Sequence, residues 1–351
     1  MIIMSTDCDV ESSLVYRGAF FWSWLPKSAM SWKFLKEAEQ KLLSYVKSPY
    51  RTRYVDLGPI VEHDEKIWTI EINSDKQKSP LVLLHGFGAG IALWCMNFDG
   101  LSNNSRPVYA MDLLGFGRSS RPQFSSNSEK IEKQFVNSIE KWRTEMKIEK
   151  CILLGHSFGG YLATAYTLQY PERVQHLILV DPWGFPEERK NHHKNVPWWV
   201  KGIFYVIKPL NPLWPVRFAG PFGNWIVANL RSDILMKYEP ILGDKTSIIG
   251  DYIYQCNSQR PTGESAFHHL LKGFGWAKNP MIKRFHDIHN EVPITFIYGQ
   301  DTWMDQSIAD VVKKERLNGV VNIEKIPNAG HHVFADQYEK FNDIVNKVCQ
   351  E

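Results

Sequence analysis

The chain has 351 residues, of which 44% are hydrophobic, which is enough for one large buried core with an inserted segment. Its formal net charge of +3 is too small to indicate a nucleic-acid partner, and it has no nucleic-acid motif. The five cysteines are scattered without a C-x-x-C pair, so we expect a reducing compartment, no metal cluster and no cofactor. Without a long apolar stretch or a basic signal sequence at residues 1–13, the sequence predicts a cytoplasmic protein.

Residues 1–60 are interpreted as an N-terminal extension rich in tryptophan. It contains Trp22, Trp24 and Trp32, with lysines interleaved. Tryptophan favours the boundary between membrane and water, and lysine favours anionic head groups. The extension is therefore predicted to lie on a lipid surface, although the same aromatics could instead pack on the core. Residues 31–46 have the apolar spacing of an amphipathic helix.

Two glycine-rich loops follow apolar strands in the next part of the chain. Leu81–Leu84 leads into HGFGAG, which resembles the oxyanion loop of α/β-hydrolases and would supply the backbone N–H of Phe87. A second strand beginning at Val108 leads into a D-x-x-G-x-G-x-S loop. Its Asp112 and Arg118 are expected to hold the loop in shape rather than to act in catalysis.

The sequence GHSFG at residues 155–159 matches the G-x-S-x-G nucleophile elbow. An apolar strand at 151–154 precedes it, and a helix is predicted over 161–170. Such a turn presents the serine hydroxyl at the top of the sheet. Ser157 is therefore the predicted nucleophile, and the N–H of Phe158 is the second predicted oxyanion donor.

The alternation of strands and helices runs over residues 61–184, breaks at 185–288 and resumes at 289–351. This pattern predicts an α/β-hydrolase fold, a mostly parallel sheet flanked by helices, with a helical lid inserted after the sixth strand. Aromatic residues are dense over 195–225. They are interpreted either as the core of the lid or as an apolar passage for an acyl chain.

A serine nucleophile needs a base, and in this fold the chain order is serine, acid, histidine. His331 is the predicted base because it follows a strand at 321–327 and precedes the final helix, whereas His332 should point elsewhere. The acid is expected in the loop after the strand at 294–298, where either Asp301 or Asp305 could reach the histidine.

With these residues in place, the chain resembles the α/β-hydrolase domain-containing 4/5 family. The resemblance rests on the tryptophan-rich N-terminus, HGFGAG, GHSFGG, FIYGQDTWMD and HHVFADQ. It implies action on phospholipids, lysophospholipids or N-acyl phospholipids, at lipid droplets or membranes. The family's H-x-x-x-x-D box, linked to acyl transfer onto lysophosphatidic acid, matches His331 and Asp336. Asp336 could equally serve as a helix cap.

The family has a co-activator branch that carries asparagine in place of the nucleophile, so Ser157 resembles the hydrolase branch. The co-activator branch keeps only the later acid, which favours Asp305 over Asp301. We therefore expect a serine-dependent lipid acyl hydrolase with possible acyltransferase activity. The alternative is a non-catalytic lipid-droplet adaptor that activates a triglyceride lipase. An epoxide hydrolase or dehalogenase would need aspartate at position 157.

Overall fold

The computed structural model of the chain describes residues 32–103, 105–188, 213–218, 223–230, 232–273 and 275–350. Within these residues the strands are β1 (Tyr50–Gly58), β2 (Glu65–Ile72), β3 (Leu81–Leu84), β4 (Val108–Met111), β5 (Cys151–His156), β6 (Val174–Val180), β7 (Leu271–Lys272), β8 (Trp276–Ala277), β9 (Ile294–Gly299) and β10 (Val321–Ile326). The α-helices are α1 (Trp32–Leu43), α2 (Phe98–Ser102), α3 (Ser128–Glu145), α4 (Phe158–Gln169), α5 (Trp214–Phe218), α6 (Gly223–Leu230), α7 (Ser232–Lys237), α8 (Glu239–Leu242), α9 (Ser247–Ser258), α10 (Thr262–Leu270), α11 (Ser307–Glu315), α12 (Val333–Asp336) and α13 (Tyr338–Val348).

The centre of the molecule is an eight-stranded sheet in the order β1-β2-β4-β3-β5-β6-β9-β10. Strand β2 runs antiparallel to β1 and β4, and the neighbouring pairs from β4 to β10 are parallel. In β3, Leu81 and Leu83 belong to one core cluster and Val82 and Leu84 to another, because successive side chains point to opposite faces. Both faces are therefore buried, as a parallel sheet requires. The predicted α/β class and its mostly parallel sheet are confirmed.

The predicted boundary of the N-terminal extension at residue 60 is wrong. Strand β1 pairs along its length with β2 and so belongs to the central sheet. Helix α1 packs on the core, where its Leu35 and Leu42 are fully buried. Glu39, which lies between these two leucines in α1, accepts from Arg118 at 3.0 Å, and both side chains of this pair are buried. The described part of the extension is consequently integral to the hydrolase core.

The chain between β6 and β9 forms an insertion at the carboxyl ends of the parallel strands. Its described residues contain helices α5 to α10 and the short hairpin of β7 and β8. Helix α9 packs on α1, and α10 on α3, so the insertion contacts the core on more than one side. In the described part of the chain, no helix is long and apolar enough to cross a membrane.

Candidate active site

Ser157 stands at the sharp turn between β5 and α4. Its backbone has φ of 52° and ψ of −115°, a conformation that costs energy for any residue with a side chain. The turn is possible because Gly159 packs directly against the end of β3. A Cβ on Gly159 would lie 2.4 Å from the carbonyl oxygen of Leu84 and 2.6 Å from that of His85. The GHSFG motif therefore forms the strained elbow that the sequence predicts.

The hydroxyl of Ser157 faces His331, which lies in the loop between β10 and α12. Ser157 Oγ is 3.0 Å from Nε2 of His331. On the other side of the ring, Nδ1 is 2.9 Å from Oδ2 of Asp181. Asp181 directly follows β6 and is fully buried. A carboxylate on Nδ1 keeps the proton on that nitrogen, so Nε2 is free to accept the serine proton.

The acid on His331 is thus Asp181, and the predicted positions Asp305 and Asp301 are not in this place. The carboxylate of Asp305 instead accepts from the Oγ of Ser307 at 2.6 Å, where the chain enters α11. Asp301 is exposed, and its backbone N–H donates to the carbonyl of Ala329 at 2.9 Å. Because both ring nitrogens of His331 are engaged, neither carboxylate can take the orienting role in this arrangement.

The environment of Asp181 opposes its charge. Burial raises the pKa of Asp181 to about 7, while a hydrogen bond from the hydroxyl of Thr302 favours the ionised form. Thr302 donates to the same oxygen as His331 does. The ionised form of such a buried carboxylate is stabilised most when the facing imidazole carries a positive charge. The site therefore favours an imidazolium during reaction.

The loop that carries His331 is fixed through its backbone. The Nε2–H of His156 donates to the carbonyl oxygen of His331 at 2.9 Å. Burial lowers the pKa of His156 to about 3, so this ring stays neutral. On the other side, the N–H of Gly330 donates to Oδ2 of Asp336 at 2.9 Å. His156 was not singled out in the sequence, although it lies next to the nucleophile.

The two segments that carry the predicted oxyanion donors, Phe87 and Phe158, lie next to each other. A Cβ on Gly86 would lie 3.2 Å from Cβ of Ser157, so the loop that carries Phe87 lies against the nucleophile. Phe158 begins α4, and the first N–H groups of a helix have no partner within it. Two N–H groups that point toward one oxygen near Ser157 would stabilise the charge of a tetrahedral intermediate.

His85 holds this oxyanion loop in place. Its Nε2 accepts from the N–H of Leu113 at 2.9 Å, so the proton resides on Nδ1, which donates to the carbonyl of Gly86 at 2.8 Å. Burial lowers the pKa of His85 to about 4, which keeps the ring in this neutral form. The contact joins the loop after β3 to the loop after β4. His85 is a second positioning residue that sequence reasoning missed.

Aromatic rings line the oxyanion loop on the side of the insertion. Phe267 of α10 stacks on Phe87 with centroids 4.4 Å apart, and its ring also lies 4.8 Å from that of Trp183 and 4.9 Å from that of Phe158. These contacts bury Phe267, Trp183 and Phe158 in one core cluster, and the half-buried Phe87 of the oxyanion loop packs against it. Trp225 of the predicted acyl passage is 68% exposed, and residues 195–212 lie outside the described residues.

The other predicted site residues lie apart from the triad. Asp336 does not contact the His331 ring nitrogens; its carboxylate binds Gly330 and forms an ion pair with Lys237. Trp32 begins α1 and is half-buried against the core, with the guanidinium of Arg121 5.9 Å from its ring centre. This packing agrees with the alternative that the aromatic residues pack on the core. Trp22 and Trp24 lie outside the described residues. Among the described residues, no three metal-ligating side chains converge on one point.

The chain is similar to a known family and to curated proteins named as lipid-modifying enzymes. The alpha/beta hydrolase fold family matches residues 79–338. The 1-acylglycerol-3-phosphate O-acyltransferase ABHD5 of Mus musculus is 45% identical over 90% of this chain and 89% of its own. The (Lyso)-N-acylphosphatidylethanolamine lipase of Homo sapiens is 46% identical over 90% of this chain and 91% of its own.

Solved structures show the same fold at lower sequence identity. The carboxylesterase CesB (YbfK) of Bacillus subtilis matches with a TM-score of 0.63 and 18% identity, over 93% of this chain and 100% of that one. A bacterial membrane phospholipase A matches with a TM-score of 0.61 and 20% identity, over 91% of this chain and 90% of that one. At these identities the likeness concerns the fold alone.

Proposed function

We propose that this chain, which belongs to the α/β-hydrolase domain-containing 4/5 family of lipid hydrolases and acyltransferases, removes acyl chains from phospholipids by serine catalysis. One observation carries the proposal. Ser157, His331 and Asp181 form a continuous line of hydrogen bonds of 3.0 and 2.9 Å at the carboxyl ends of the parallel strands. An adaptor that only binds another lipase would need no such line.

From this geometry we infer a two-step reaction. His331 accepts the proton of Ser157 as Oγ attacks the acyl carbonyl, and the N–H groups of Phe87 and Phe158 bind the resulting oxyanion. His331 then gives that proton to the leaving lysophospholipid or amine, which leaves an acyl-serine. In the second step His331 takes a proton from the incoming hydroxyl and returns it to Oγ as the acyl group departs. The acceptor is water in hydrolysis and a lysophospholipid in acyl transfer.

The choice of a phospholipid substrate rests on the relatives. One is named for acyl transfer onto 1-acylglycerol-3-phosphate and the other for lipolysis of N-acylphosphatidylethanolamine. Both substrates join an acyl group to a glycerophosphate.

We place this activity at a lipid surface, a lipid droplet or membrane, in the cytoplasm. Trp22 and Trp24, close to Lys27, have the composition of a segment that lies among head groups. Replacing both tryptophans by alanine should release the full chain from neutral and anionic liposomes in flotation assays. Hydrolysis of a short soluble ester should stay unchanged. A double variant that still floats would show that binding resides elsewhere.

The activity itself is tested with the purified full chain. Lysophosphatidylethanolamine and N-acylphosphatidylethanolamine are supplied in mixed micelles, with and without lysophosphatidic acid as acceptor, and released and transferred acyl groups are quantified. We expect both products from the wild type and neither from Ser157→Ala. Equal yields from the two proteins would contradict serine catalysis. If neither is active while both stimulate a triglyceride lipase, the protein is an adaptor.

A further inference from the structure

We propose that Lys237 and Asp336 are positioning residues that connect the inserted helices to the loop of the catalytic histidine. The inference rests on the proposed function, since it assigns these residues their effect through His331. It gives Asp336 a role in both hydrolysis and transfer. A box dedicated to acyl transfer would act on transfer alone.

The ion pair joins two separate parts of the fold. Lys237 is the last residue of α7 in the insertion, and Asp336 is the last residue of α12, after β10. Their side chains are only 15% and 13% exposed, so water screens the pair weakly. Asp336 divides its oxygens: Oδ1 accepts from Nζ of Lys237 and Oδ2 from the N–H of Gly330. The Asp336 carboxylate thus links the end of α7 to the loop that carries His331.

A change at Asp336 should reach His331 because a hydrogen bond holds the backbone of this loop on each side of the histidine. Gly330 is bound by Asp336, and the carbonyl of His331 is bound by His156 at 2.9 Å. Between these anchors the ring must keep its contacts to Ser157 at 3.0 Å and to Asp181 at 2.9 Å. If the Asp336 carboxylate turns away from Gly330, the loop loses one of these two backbone hydrogen bonds. A displacement of about 1 Å at a reacting group can lower a rate up to about 100-fold.

The same arrangement argues against a direct role of Asp336 in transfer. Both of its oxygens are engaged, by a lysine and by a backbone N–H, and both ring nitrogens of His331 are engaged elsewhere. An acceptor hydroxyl would be deprotonated by His331 in the same way as water. Loss of Asp336 should therefore lower hydrolysis and transfer in equal proportion.

The test compares Lys237→Met, Lys237→Arg and Asp336→Ala with one control variant, Lys141→Met. Lys141 also forms an ion pair, with Glu145 at 2.7 Å, but this pair lies on the exposed face of α3. For each variant we measure kcat and KM on a short soluble ester, the ratio of transfer to hydrolysis, the rate at which a fluorophosphonate labels Ser157, and the unfolding temperature.

We expect Lys237→Met to lower kcat and the labelling rate about 10-fold, with KM unchanged. Lys237→Arg should restore most of both, Asp336→Ala should be slower still, and Lys141→Met should match the wild type. Wild-type kcat in Lys237→Met would overturn the inference, as would an Asp336→Ala variant that loses transfer but keeps hydrolysis. If Asp336→Ala does not fold, Lys237→Met decides, because it keeps the Asp336 carboxylate and removes only the lysine that orients it. A wild type that is never labelled on Ser157 would instead refute the proposed function.

Discussion

Substitution of Asp181 by asparagine tests whether this carboxylate, rather than that of Asp301 or Asp305, orients His331. Asp181 lies 2.9 Å from Nδ1 of His331. An amide in its place removes the charge that faces the imidazolium, and its NH₂ can present a proton to Nδ1. The ring would then carry its own proton on Nε2 and could not accept that of Ser157.

The expected magnitude follows from the geometry. Two unit charges about 4 Å apart attract by about 4 kcal/mol at an effective dielectric constant of ~20. Each 1.36 kcal/mol corresponds to about a tenfold change in rate, so loss of the charge alone costs about three powers of ten. With the unfavourable tautomer added, we expect kcat to fall by about 10⁴-fold. Because burial raises the pKa of Asp181, neutral asparagine should not lower the unfolding temperature.

The assay is hydrolysis of a short soluble ester by Asp181→Asn, Asp305→Asn and Asp301→Asn. We expect the last two variants to remain close to the wild-type rate, since Asp305 contacts Ser307 and Asp301 is exposed. The unfolding temperature of each variant serves as a control. If Asp305→Asn is more damaging than Asp181→Asn, the assignment of the acid is wrong.

Two further predictions concern stability. The pKa of His156 is about 3 in the folded state against an ordinary value near 6.5, so only the unfolded chain gains this proton as the pH falls. Stability should therefore drop below pH 6.5, and in urea titrations His156→Gln should reduce the loss between pH 6.5 and 5 by about 2 kcal/mol; an unchanged slope would contradict this cause. Arg118→Met leaves the buried carboxylate of Glu39 without its cationic partner, with only the indole N–H of Trp68 donating to it. This variant should lower the free energy of unfolding by about 3–5 kcal/mol in the same assay, whereas a loss below about 1 kcal/mol would mean that the pair does not fix α1.

The nucleophile and the base could be predicted because each lies within a local pattern. The elbow places Ser157 between a buried strand and a helix, and His331 follows the last strand of the sheet. Both patterns depend on neighbours in the chain. The structure brings these two side chains together across 174 positions of sequence, with a contact of 3.0 Å.

The acid could not be chosen from the sequence because two strand ends compete for the same place. Strands β6 and β9 are adjacent and parallel, with Val180 opposite Ile297. The loops after both strands therefore reach the same edge of the sheet. Asp181 follows the first strand, and Asp301 and Asp305 follow the second. Which carboxylate meets the histidine depends on where the two loops turn, and the turn at Thr302 directs a hydroxyl toward Asp181.

The N-terminal boundary was wrong for a different reason. The density of tryptophans in the first part of the chain suggested one segment with one role. Residues 50–58 in fact form an antiparallel strand in which Val55 and Leu57 are buried and their neighbours Tyr54 and Asp56 are less so. The apolar residues Val55 and Leu57 alternate with polar or half-buried neighbours, a period of two that is typical of a strand with one buried face.

The central claim is that Ser157 carries the acyl group between the two halves of the reaction. Acid quenching during turnover of N-acylphosphatidylethanolamine, followed by proteolysis and mass measurement, tests it most directly. We predict that the peptide containing Ser157 gains the mass of the fatty acyl group, and that the acylated peptide is absent from Ser157→Ala. Rapid turnover by the wild type without acylation of this peptide, or turnover by Ser157→Ala at the same rate, would contradict the account.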